Sequence, residues 1–98
     1  MGAADSQLVI PDAAREDPKS FEVARVWVAK KVEHVSLRVD VWKDPAAWGI
    51  ILADLARHLA NAYEQNAGLN SHDTLQRIKA GFEAEMDSPT DHPTGSLV

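Results

Sequence analysis

The spacing of apolar positions changes period along this chain, and each change marks an element. Between Phe21 and Trp42 the period is two. Val35, Leu37, Val39 and Val41 alternate with His34, Ser36, Arg38 and Asp40. Upstream, Ala24, Val26 and Val28 alternate with Val23, Arg25, Trp27 and Ala29. Two such runs predict an antiparallel hairpin turning at Lys30 to Glu33. Setting Val28 opposite Val35, Val26 opposite Leu37 and Ala24 opposite Val39 makes one face wholly apolar, and a one-residue slip would ruin it. The turn segment Lys30-Lys31-Val32-Glu33 holds no Gly or Asn. A longer or bulged loop is therefore expected rather than a tight primed turn.

After Trp42 the spacing lengthens to three and four. Trp48, Ile51, Leu52, Leu55, Ala56, Leu59, Ala62 and Tyr63 form one face of a long amphipathic helix and are its candidate core positions. Asp44 is placed to accept hydrogen bonds from first-turn N–H groups, and Pro45 sits where its missing donor costs nothing. The helix should reach about Gln65, roughly 22 residues and ~33 Å. Gly68 suits the left-handed position that ends it. A second helix is expected from Asn70 or Ser71, with Asp73 in its first turn and a narrower stripe of Leu75, Ile78, Phe82 and Met86.

The ends read differently. Leu8-Val9-Ile10 is a short apolar run stopped by Pro11, either a third, N-terminal strand at a sheet edge or a segment that pins the arm down. Asp12 to Ser20 is polar, and Pro18 resists a continuous helix. Residues 1–7 are expected to be flexible, residues 8–86 to form a single domain, and residues 87–98, with Pro89, Pro93 and Gly95, to form a disordered tail. A hairpin alone is marginal, so the long helix is expected to cover its apolar face with the second helix alongside. The fold class is α+β: an antiparallel β-hairpin packed against a long amphipathic helix and a second helix.

Composition narrows the function classes. A net charge of −5 argues against nucleic-acid binding, which rests on Lys and Arg neutralising phosphates. No apolar run approaches the ~20 residues that span a bilayer, so no membrane partner is expected. Zero cysteines leave no disulfide, thiolate metal site or cysteine nucleophile. The start shows no charged region followed by an apolar stretch, which makes cytoplasm the expected location. Met1-Gly2-Ala3-Ala4-Asp5-Ser6 matches a loose myristoylation pattern, but no polybasic patch follows to supply a second anchor. Ser96-Leu97-Val98 resembles a terminal peptide for strand addition, a weak signal at three residues.

Candidate chemistry lies in what the core does not use. Arg25, Trp27, His34 and Arg38 fall on the second hairpin face. In the expected register Arg25 and Arg38 are cross-strand neighbours, unfavourable unless Asp40 or a bound anion lies between them. The plain reading is a solvated face; the sharper ones are a partner contact, favoured by a Trp among Arg residues, or an anion site. The long helix carries a second, flatter stripe of Ile50, Ala53, Arg57 and Ala60 that suits close helix approach. Either the second helix uses it or a second copy does, giving a homodimer. Asp54 and His58 stand four apart, as an orienting acid and a base would, and equally as an exposed pair. His34, His58, His72 and His92 are scattered, so no metal site is expected. Trp27, Trp42 and Trp48 are expected to gather by the junction of hairpin and helix, as packing or as a shallow aromatic pocket. No catalytic residue, glycine-rich phosphate loop or cofactor is implied.

One further signal is a resemblance. Arg25-Val26-Trp27, His34-Val35-Ser36-Leu37-Arg38 and Trp42-Lys43-Asp44-Pro45-Ala46-Ala47-Trp48-Gly49-Ile50 resemble a known family, as do Leu52-Ala53-Asp54-Leu55-Ala56-Arg57-His58 and Asn61-Ala62-Tyr63. It is DUF5076, small alphaproteobacterial proteins of unknown function, and the resemblance spans roughly residues 8–90. It implies a bacterial cytoplasmic protein and brings no activity with it. The expected function is a small non-enzymatic interaction or regulatory module, acting as a homodimer with an unknown protein partner. The alternative is an anion or metabolite binder using Arg25, His34 and Arg38, with Trp27 as an apolar wall. A hydrolase built on Asp54 and His58 ranks last, because no nucleophile or metal ligand accompanies them.

Overall fold

The computed structural model describes residues 3–89 and 96–97, arranged as a hairpin unit and a helical unit that meet in sequence at Val39 and Asp40. In the hairpin unit, a 3-10 turn at Ala3–Ser6 precedes a short helix α1, Asp12–Glu16, held by an Arg15–Asp12 pair within its single turn. Pro18 lies beyond that helix, consistent with its inability to extend one. Strands β1, Ala24–Ala29, and β2, Val32–Leu37, then form the antiparallel hairpin.

The register differs from the expected one. Val26 faces Val35, Ala24 faces Leu37 and Val28 faces Glu33, a shift of two residues along β2. Because side chains alternate with period two, that shift leaves every residue on its expected face. The cause is the turn. Lys30 and Lys31 adopt φ of 54° and 64°, so a two-residue turn with both central residues left-handed replaces the longer loop. Pairing ends at Leu37, and the Arg38 N–H donates to the Val23 carbonyl at 2.9 Å just beyond.

The sheet has a third strand, though not the N-terminal one. Leu8 to Ile10 stay outside the sheet, while β3, Ser96–Leu97, pairs parallel with β2 through Ser36 and Leu37. The Met1-Gly2 start and residues 90–95 and 98 of the expected tail lie outside the described residues.

In the helical unit, α2 spans Ala46–Ala67 and α3 spans Ser71–Asp87. The Asp44 carboxylate accepts from the Ala46 N–H at 2.9 Å, and Pro45 opens the helix. Gly68 ends it with φ of 70°, its N–H donating to the Glu64 carbonyl at 3.0 Å. Two residues later Asn70 caps α3, its Oδ1 accepting from the Asp73 N–H at 3.0 Å. The link is so short that α3 folds back and packs on α2. Trp42 and Trp48 meet edge to face, 5.8 Å between ring centroids, across the Lys43-Asp44-Pro45 turn.

Burial is sparse. Among the described residues Ala60 on α2 is the one buried hydrophobic side chain, at 3% exposure. The large side chains expected to form the core are open: Leu52, Leu55 and Leu59 are 52%, 53% and 44% exposed, and Val26 and Val28 on the hairpin are 60% and 77% exposed. The α+β elements are present, and Trp48, Ile51, Leu75 and Ile78 are half-buried in the helical unit.

Candidate functional site

The hairpin face proposed from sequence is built by β1, β2 and the residues just outside them. Trp27 stands opposite His34 and Arg25 opposite Ser36, so Arg38, one pair further on, is diagonal to Arg25 rather than across from it. Trp27, Arg25 and Arg38 are half-buried and His34 is exposed. All four belong to the hairpin unit.

The counter-charge is Glu22, not Asp40. The Glu22 carboxylate accepts from Arg25 Nε at 3.1 and 3.3 Å, and its backbone carbonyl accepts from Arg38 Nε at 3.0 Å. One residue thus serves both guanidinium groups, and the diagonal register keeps the two arginines from meeting head on. Arg38 also lies 6.0 Å from the centroid of the Phe21 ring, at the outer reach of a cation–π contact. His34 is drawn the other way. Its Nε2 lies 3.2 Å from the Ala29 carbonyl, an atom that only accepts, so Nε2 carries the hydrogen. Glu22 escaped the sequence reading because it precedes the alternating run; its spacing of three from Arg25 was the available signal.

This arrangement leaves one carboxylate for two arginines beside an open groove of about 270 Å³, lined by Glu22, Arg25, Ser36 and Arg38 among others. A second groove of about 680 Å³ runs between the Ser6–Pro11 arm and β1, which is an edge strand of the sheet. Neither groove holds a cluster of metal-ligating side chains, nor does any other part of the described residues.

The helix stripe behaves as two parts. Ala60 is buried, whereas Ile50, Ala53 and Arg57 are exposed, and Arg57 pairs with Asp54 at 3.7 Å. Asp54 therefore has Arg57 as its partner where the acid–base reading needed His58. Of the three tryptophans, Trp42 and Trp48 come together and Trp27 belongs to the hairpin. The side of α2 that stays open is the one assigned to the core: Leu52, Leu55, Leu59 and Tyr63. Among the described residues no helix is long and apolar enough to cross a membrane.

Comparison with known proteins adds a family and a fold. The model of a domain of unknown function, DUF5076, matches residues 7–90. A solved structure from the photosynthetic bacterium Rhodopseudomonas palustrus CGA009, provisionally described as a pyruvate dehydrogenase, superimposes with a TM-score of 0.72 and 30% identity, covering 94% of each chain. No curated protein matches.

Proposed function

This chain belongs to the DUF5076 family, and from that premise we propose that it is a small non-enzymatic interaction module that works as a homodimer. The observation that supports this reading is surface left unburied. Among the described residues Leu52, Leu55 and Leu59 on α2 are 52%, 53% and 44% exposed, and Val26 and Val28 on the hairpin are 60% and 77% exposed. Obligate homodimer interfaces are built from apolar faces of this kind, which pairing of two copies would cover. Among the described residues the helical pair fully buries Ala60 alone, and a short sheet needs a covered face.

Binding of an anion through Arg25, His34 and Arg38 ranks second. Glu22 already accepts from both arginines, and His34 is turned to the Ala29 carbonyl, so the three do not converge. The dehydrogenase description of the similar structure is not carried over.

Sedimentation equilibrium with native mass spectrometry tests the proposal. A species of twice the 10.7 kDa chain mass, free of adducts, is expected. A monomer at micromolar concentration overturns it, and a discrete adduct on the protein moves the anion reading to first place.

A further inference from the structure

We infer that a second copy of this chain docks along one seam of α2, formed by Trp48, Leu52, Leu55 and Leu59. This rests on the homodimer reading above and names its contact. The four residues are spaced four, three and four, and Ala62 continues the series, which is the heptad seam by which helices pair. Leu52, Leu55 and Leu59 are each about half exposed along 22 residues of continuous helix. Ala60, the buried residue, lies roughly 100° around the helix from the seam, so α2 is covered within the chain at Ala60. Beyond Trp48, which is half-buried against Trp42, the seam of Leu52, Leu55 and Leu59 is a separate, open face.

Charge selects the occupant. A chain of net charge −5 repels its own copy unless the facing patch is neutral. Between Pro45 and Tyr63 the carboxylates and strong bases are Asp54 and Arg57 alone. They lie roughly 130–170° around the helix from the seam and pair with each other at 3.7 Å. The positions flanking the seam are Gly49, Ile51, Ala56, His58, Tyr63 and Gln65, with no Asp, Glu, Lys or Arg among them. An apolar seam with uncharged borders on an acidic protein fits a like surface, and Leu against Leu is self-complementary under two-fold symmetry. A charged partner would find nothing on this face to pair with.

The chain has no cysteine, so an introduced one is a unique probe. Leu52→Cys, Leu55→Cys and Leu59→Cys, each in the full chain, should give covalent dimers with a short thiol crosslinker at least tenfold faster than Asp54→Cys, Arg57→Cys and Asn61→Cys. Circular dichroism and sedimentation of each variant confirm that it still folds and associates. A dimer whose crosslinking is equal at the two sets, or faster on the Asp54 side, overturns the seam while leaving the homodimer intact. A wild-type monomer overturns the homodimer itself, and the seam with it.

Discussion

Lys30 and Lys31 hold the hairpin turn in a conformation that costs an ordinary L-residue roughly 1–2 kcal/mol. Nothing in their chemistry repays that cost locally, because Asn and Gly are the residues that reach it cheaply. Replacing them together, Lys30→Asn with Lys31→Gly, should therefore stabilise the fold by about 1–2 kcal/mol, read as a higher urea midpoint. An unchanged or lower midpoint would argue against the two-residue turn. Gly68 shows the converse. Its φ is 70° and a Cβ there would meet nothing within 4 Å, so the penalty for a side chain is conformational alone. Gly68→Ala should cost about 1 kcal/mol and Gly68→Asn distinctly less, measured by denaturant unfolding. At Asn70 the side-chain cap is visible as a hydrogen bond to Asp73, and Asn70→Ala should cost about 1 kcal/mol in the same assay. The Arg25–Glu22 pair is different in kind. The pair lies at the surface, its side chains 39% and 57% exposed, so its loss should change stability by less than about 1 kcal/mol.

At the scale of elements, the start and stop residues were readable and the partners were not. Asp44-Pro45, Gly68 and Asn70 act locally, through hydrogen bonds within one turn of chain, and each stands where its chemistry predicts. The hairpin's faces were equally legible, since alternation decides them whatever the register. The register itself followed the turn, and two lysines give no sequence signal for a left-handed pair. The third strand was also hidden: Leu8-Val9-Ile10 has strand-like composition, yet Ser96–Leu97 takes the edge of β2. On α2 two stripes compete for cover, and periodicity cannot say which one a neighbouring helix will choose. Within the small-residue stripe Ala60 is the covered position, while Ile50 and Ala53 stay exposed. Ala60→Leu should accordingly destabilise the helical unit by about 1–3 kcal/mol through overpacking, a fall in melting temperature by calorimetry. Unaltered melting would mean that this side of α2 has room to spare.

For the molecule as a whole, association and stability should be one quantity. If a second copy covers the exposed leucines, the melting temperature must rise with protein concentration, because the dimer binds only folded chains. A melting temperature constant over a hundredfold range of concentration would point to a stable monomer. The sequence by itself determined the element types, the faces of the hairpin, the ends of both long helices and the family, because each depends on periodicity, on capping within a turn or on residue identity. It also named Arg25, Trp27, His34 and Arg38 as one face. Only the tertiary structure decided that Glu22 serves both arginines, that α2 is covered at Ala60, and that Leu52, Leu55 and Leu59 are about half exposed. Those outcomes depend on which groups meet through space, and a period of two or 3.6 orients a residue on its own element without saying what lies opposite.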